Sequence, residues 1–189
     1  SVPDFEAQFA ALEAKVGELA VRRVADARDR AAVMAFGELL ATALGAAYLS
    51  SQGMAAAWLD ARTVLRAAPR DSASRESAYL SAVCDFGPDA AIDARLRALG
   101  PLVVTQGFIA GDAAGDTVLL GRGGSDTSGA YFAALLAARE LEIWTDVPGM
   151  FSANPRAVAA RPCSRRSPIR CPASAARASA TRRPARAAK

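Results

Sequence analysis

The chain has 189 residues, 52% of them hydrophobic, with 23 Lys or Arg against 19 Asp or Glu and no histidine. That length fits one domain with a sizeable core and a short appendage. The lack of histidine excludes imidazole acid–base chemistry, and three cysteines without a spacing pattern argue against a disulfide framework or a zinc site, so no metal ligands are assigned.

The net charge of +4 is unevenly held. Residues 157–189 carry nine Lys or Arg and no acid, so the preceding 156 residues hold 14 basic and 19 acidic groups, a net of −5. A body at −5 gives no reason to invoke nucleic acid. No 18-residue apolar run is free of charge, so no membrane span is expected. The start, Ser1-Val-Pro-Asp4, lacks the basic-then-apolar pattern of a signal peptide. With no initiator methionine, it reads as the interior of a longer protein. The odd cysteine count makes a reducing cytoplasm the default location.

In chain order, Phe5, Phe9, Leu12, Val16 and Leu19 recur every three or four residues, predicting an amphipathic helix over 4–20 with Asp4 as its N-cap. The one lysine of the body, Lys15, reads as a solvated residue on that helix. A longer helix is expected over 29–51, with Val33, Phe36, Leu40, Leu44 and Ala47 on one stripe and Gly53 ending it. Residues 55–61 read as a short buried strand with Trp58, 66–76 as a loop, and 77–85 as a strand. A short helix over 89–99 is stopped by Gly100-Pro101. Residues 102–110 read as a Val- and Ile-rich strand, which turns at Gly111–Gly115 into a second strand over 116–120, a hairpin. A helix capped by Ser125 or Asp126 is then expected to reach about Glu140. A strand over 141–145 and a turn at Asp146-Val-Pro-Gly149 follow. Trp58, Trp144 and Phe108 are expected in the core, and Cys84 as a buried small apolar residue.

Strands alternating with helices predict an α/β layer fold with a mostly parallel sheet. Ligands of such sheets sit beyond the carboxyl ends of the strands. The stretch Leu119-Leu-Gly-Arg-Gly-Gly-Ser-Asp-Thr-Ser128 lies there, where a glycine turn opens a helix. Its free N–H groups and positive dipole end suit an anion. Arg122 adds a planar fork for a carboxylate or phosphate, and Asp126 an acceptor for an ammonium. Together they point to an amino acid as ligand. From residue 157 onward, 27 of 33 residues are Ala, Arg, Pro or Ser. Such a segment cannot bury enough apolar surface to offset its entropy. It reads either as a disordered or non-native end, such as a shifted reading frame, or as a basic arm for nucleic acid or acidic partners.

Four blocks carry a resemblance: Val104-Thr-Gln-Gly-Phe-Ile109, Leu120-Gly-Arg-Gly-Gly-Ser-Asp126, Glu142-Ile-Trp-Thr-Asp-Val-Pro-Gly149 and Ala153-Asn-Pro-Arg156. In order and spacing they resemble aspartate kinase, of the amino acid kinase family, and Phe36-Gly-Glu38 resembles that family's Gly-Glu element. The wording around Arg122 looks most like aspartokinases fused to diaminopimelate decarboxylase. The resemblance covers roughly residues 30–156 and implies a three-layer α/β/α sandwich, read here as a domain over 1–156, with composition marking 157–189 as a separate tail. It implies transfer of the ATP γ-phosphoryl group to the β-carboxylate of L-aspartate, an early step toward lysine, threonine and methionine. Arg122 would clamp the substrate α-carboxylate. Glu38 and Asp126 would pair with its ammonium, and Ser125 would help hold the anionic end. Thr145, Asp146 and Phe151 would line the nucleotide site, and Arg156 would reach the phosphates. Mg²⁺ would be held mainly through phosphate oxygens. A homo-oligomer in the intact protein fits the same resemblance.

The sequence departs from the family at Phe151 and Thr127, where tyrosine is common, and at Asn154, where aspartate is. The family's opening Lys-Phe-Gly-Gly-Thr-Ser loop has no counterpart here, so the domain reads as truncated and impaired or inactive. Two other readings stay open. One is a kinase for acetylglutamate, glutamate or uridylate. The other is a non-catalytic fragment that binds nucleic acid or acidic partners through its basic arm.

Overall fold

The computed structural model describes residues 5–69 and 74–144, together with two short strands, Ile169–Arg170 and Arg177–Ala178. Asp4, Thr145, Asp146, Phe151 and Arg156 lie outside the described residues, as does the rest of the tail.

Two long helices open the fold, α1 (Phe5–Arg22) and α2 (Ala27–Ser51). Asp26 caps α2 in a capping box: its side chain accepts from the Asp29 N–H, and Asp29 accepts from the Asp26 N–H. This reciprocal pairing satisfies two N–H groups that a helix start leaves open. Strand β1 (Ala56–Leu59) follows, then a 3₁₀ turn (Ala61–Thr63), α3 (Arg75–Leu80) and α4 (Ala90–Ala98). Strands β2 (Leu102–Thr105), β3 (Ile109–Gly111) and β4 (Thr117–Leu119) lead into α5 (Gly124–Leu135). β5 (Ile169–Arg170) and β6 (Arg177–Ala178) pair antiparallel within the tail.

β1 and β2 run parallel, Ala56 opposite Leu102 through Leu59 opposite Thr105. β3 and β4 form the expected antiparallel hairpin, Ile109 opposite Leu119. The hairpin meets the chain after β1 through a parallel bridge between Arg66 and Gly111. Side chains of a strand alternate between faces, and here each face buries its own core. Ile109 and Leu119 pack with Ala31, Ala35 and Leu39 of α2, and Trp58 and Phe36 lie against them. Their neighbours Ala110, Val118 and Leu120 pack on the other face with Leu96 of α4 and Leu135 of α5. Helix, strand and helix layers result, the α/β/α order expected of the body.

By length and composition α2 could cross a membrane. In this fold it is the hub instead, touching α1, α3, β1, β2 and β4.

Several elements differ from the sequence expectation. The segment 77–85 is not a strand. Ser74 accepts from the Ser77 N–H and starts α3, while Cys84 makes only an isolated bridge to Ala67. The run 102–110 is broken into β2 and β3 by Gln106-Gly107-Phe108, where Phe108 takes φ +68°. Neither Ser125 nor Asp126 caps α5. Gly123, in the left-handed region at φ +72°, holds that position without any side-chain cap bond. The helix ends at Leu135, short of Glu140, and Ala137 turns the chain with φ +44°. Residues 141–144 form no strand. Trp144 is not core: it is 64% exposed, and its indole N–H donates to Glu142. Lys15 is not simply solvated, since it pairs with Glu18 and with buried Asp29, each at 3.0 Å.

Candidate active site

The glycine stretch folds as a left-handed turn feeding a helix. Gly121 and Gly123 both take positive φ (+75° and +72°), a conformation open to glycine at little cost. The Gly124 N–H donates to the Gly121 carbonyl and the Thr127 N–H to the Gly123 carbonyl. The N–H groups of Gly123, Ser125 and Asp126 therefore have no backbone acceptor among the described residues. With no side-chain cap present, the positive end of the α5 dipole is open at Ser125 and Asp126. Arg122, Ser125 and Asp126 are all exposed there, and among the described residues Arg122 and Asp126 have no hydrogen-bond or ion-pair partner.

A second layer of contacts holds this turn. A Cβ on Gly124 would lie 2.7 Å from Phe108 Cδ2, and one on Gly107 would lie 3.0 Å from Ser125 Cα. The loop after β2 thus rests directly on the first turn of α5. The Phe108 N–H donates to Ser128 Oγ at 2.7 Å, and that hydroxyl donates to the Gly124 carbonyl at 2.7 Å. The Leu120 N–H donates to the Phe108 carbonyl at 2.8 Å.

Glu38 lies half-buried on α2. One turn later Thr42 donates to the Glu38 carbonyl at 2.7 Å and accepts from Gln106, which precedes the Gly107 packed on Ser125. Arg122, in the turn before the cap, and Ser125 and Asp126, in the first turn of α5, thus lie together at the helix start, and Glu38 is connected to that start through Thr42 and Gln106. Among the described residues no hydrogen bond or ion pair joins the Glu38 carboxylate directly to Arg122 or Asp126. The expected nucleotide residues Thr145, Asp146, Phe151 and Arg156 fall outside the described residues. No local sequence pattern marks Thr42, and Gln106 and Ser128 lie within the quoted stretches without a role of their own there. The signal available for Gln106 was an amide following a β-branched strand, where a buried polar group needs partners.

Among the described residues no cluster of three His, Cys, Asp or Glu could hold a metal ion. A separate charged cleft of about 420 Å³ lies between α1, α2 and the β3–β4 turn. Its cations Lys15, Arg22 and Arg28 face the anions Glu18, Asp29 and Asp116, and Asp29 pairs with both Lys15 and Arg22. Arg28 pairs with Asp116, which also accepts from the Tyr79 hydroxyl. Such balanced pairing docks elements rather than an anionic ligand.

The open helix start, with an exposed arginine and aspartate beside it at the end of an α/β layer, is the candidate ligand site. The chain belongs to the amino acid kinase family, whose family model matches residues 4–167. It is 38% identical over 128 residues to lysine-sensitive aspartokinase 3 of Escherichia coli, covering 68% of this chain and 27% of that protein. It is 44% identical over 131 residues to bifunctional aspartokinase/homoserine dehydrogenase 2 of the same organism, covering 68% and 15%. The crystal structure of E. coli aspartokinase III in complex with aspartate and ADP superimposes with a TM-score of 0.66 and 32% identity, covering 82% of this chain and 33% of that one. The chain therefore spans about a third or less of these relatives.

Proposed function

We propose that residues 1–156 form part of an aspartokinase catalytic domain that binds L-aspartate at the start of α5, and that 157–189 form a basic tail outside it. The observation carrying this reading is the uncapped first turn of α5, with Arg122 and Asp126 beside free N–H groups. Arg122 clamps the α-carboxylate, Asp126 and Glu38 pair with the ammonium, and Ser125 with its N–H supports the anionic end. The β-carboxylate of aspartate, with an ordinary pKa of about 4, is ionised near neutral pH. It attacks the γ-phosphorus of ATP and ADP leaves, so no general base is needed, which suits a chain without histidine. Catalysis is then positioning and charge neutralisation.

Mg²⁺ would be held mainly through the nucleotide phosphates rather than by a protein cage. Thr145, Asp146 and Phe151 would line the nucleotide and Arg156 would reach its phosphates. The wording of the glycine stretch favours the aspartokinases fused to diaminopimelate decarboxylase. We place the chain in the cytoplasm, and free, buried Cys84 suits that setting.

These 189 residues contain no Lys-Phe-Gly-Gly-Thr-Ser loop, so they bind substrate but turn it over poorly. Calorimetric titration with L-aspartate tests the site. Binding is expected in the wild type, with at least tenfold weaker binding in Arg122→Ala. Binding unaffected by Arg122→Ala, or no binding at all, overturns the assignment. An ADP-release assay with aspartate and MgATP tests the rest, and turnover matching an intact relative would refute impairment.

A further inference from the structure

One hydroxyl oxygen joins three segments around the candidate site. Thr42 Oγ1 donates to the Glu38 carbonyl at 2.7 Å, accepts from Gln106 Nε2 at 2.7 Å, and accepts from Trp58 Nε1 at 3.1 Å. A hydroxyl has one hydrogen and two lone pairs, so these three bonds use it fully. Gln106 is 1% exposed, and its Oε1 accepts from the Ala61 N–H at 2.8 Å. The amide therefore ties the end of β2 both to α2 and to the turn after β1. The very next residue, Gly107, is the one packed on Ser125. The residue after that, Phe108, is fixed by Ser128 in the second turn of α5.

We propose that Gln106 and Thr42 are positioning residues: together they clamp the Gln106-Gly107-Phe108 loop to α2, and so set the first turn of α5 at a fixed place relative to the Glu38 turn. The inference deepens the proposed function, since it makes the two halves of the aspartate site depend on one hydrogen-bonded hub. Neither side chain needs to touch the ligand. Gln106 is buried beneath the loop, and Thr42 spends its hydrogen on its own helix. A buried amide with both ends used is costly to leave half-satisfied. That cost is what keeps the loop from settling in a neighbouring arrangement.

The test uses the full 189-residue chain with Thr42→Val, Thr42→Ser and Gln106→Leu. Valine matches the threonine shape without the hydroxyl, and serine keeps the hydroxyl without the methyl. The first readout is amide hydrogen exchange. Thr42→Val and Gln106→Leu are expected to lower protection at Phe108 and Leu120 at least tenfold while leaving α4 amides unchanged. Thr42→Ser is expected to stay within threefold of wild type. Gln106→Leu orphans the Ala61 N–H and is the variant most exposed to misfolding, so the Val and Ser pair decides the matter alone. The second readout is affinity. In a chain that binds aspartate, Thr42→Val should weaken aspartate at least tenfold while Thr42→Ser does not. Protection unchanged in Thr42→Val, or equal loss in Thr42→Ser, overturns the clamp. If the wild type binds no aspartate but protection falls as stated, the proposed substrate is lost and the clamp stands.

Discussion

At the scale of single residues, steric room decides what a glycine is for. Gly124 opens α5, where alanine would ordinarily help the helix by up to about 1 kcal/mol. Here the added Cβ would meet Phe108 Cδ2 at 2.7 Å and Phe108 Cα at 3.2 Å. Phe108 cannot easily retreat, because its N–H is bonded to Ser128 and its carbonyl to Leu120. Gly124→Ala is therefore expected to destabilise by about 1–3 kcal/mol, the usual cost of overpacking. Gly45, inside α2, meets nothing within 4 Å, so Gly45→Ala is expected to stabilise by about 0.5–1 kcal/mol. Urea unfolding of the two variants checks both signs, and a stabilised Gly124→Ala would show that Phe108 gives way. Chemistry follows the same local logic at Cys84. The thiol is 1% exposed, and burial, with the Asp85 charge adding, pushes its pKa up to about 11. At pH 8 it is held as the unreactive thiol. Iodoacetamide labelling read by mass spectrometry should leave Cys84 unmodified in the folded chain and modify it in urea; rapid labelling without urea contradicts the burial.

At the scale of elements, α1 has no buried residue, yet its charged side chains reach the start of α2. The Asp29 carboxyl is drawn down from an ordinary 3.8 to about 2, first by Lys15, then by Arg22 and the Asp26 N–H, against the opposing effect of burial. A lowered acid pKa means that the stabilising contribution is present above about pH 4 and is lost as pH falls toward 2. Amide exchange in α1, corrected for intrinsic rates, should therefore lose protection between pH 5 and pH 2.5 before the β3–β4 hairpin does. Equal protection at both pH values would remove Asp29 as the latch. The elements visible in the sequence are those with long periods. α1, α2 and α4 show apolar residues every three or four positions, and the hairpin is marked by Gly111 and Gly115. α3 spans six residues, too few for a period, so its apolar content reads as a strand. The break between β2 and β3 is hidden because the run is apolar on both sides of Gln106-Gly107-Phe108. The site divides in the same way. Arg122, Ser125 and Asp126 are legible because they are neighbours in sequence. The link from Glu38 to that turn runs through Thr42 and Gln106, 64 residues apart, and no local pattern encodes it.

At the scale of the molecule, the charge is divided between two kinds of sequence. Residues 1–156 sum to −5, and 157–189 hold nine cationic side chains with no acid. If the two parts are independent, any affinity for polyanions belongs to the tail and the proposed aspartate site belongs to the body. Counterion release then sets a ceiling: nine cations on duplex DNA give a log–log salt slope no steeper than about −8. Deleting 157–189 is expected to abolish retention on heparin and any salt-dependent DNA binding, while aspartate affinity stays within twofold. The family match continues to residue 167, so deletion of 168–189 serves as the milder cut. It should keep aspartate affinity equally well and retain part of the heparin binding, because Arg161, Arg165 and Arg166 remain. DNA binding that survives the longer deletion would place a nucleic-acid surface on the acidic body and favour the non-catalytic reading. Loss of aspartate binding with the longer cut alone would instead move the domain boundary from residue 156 toward 167.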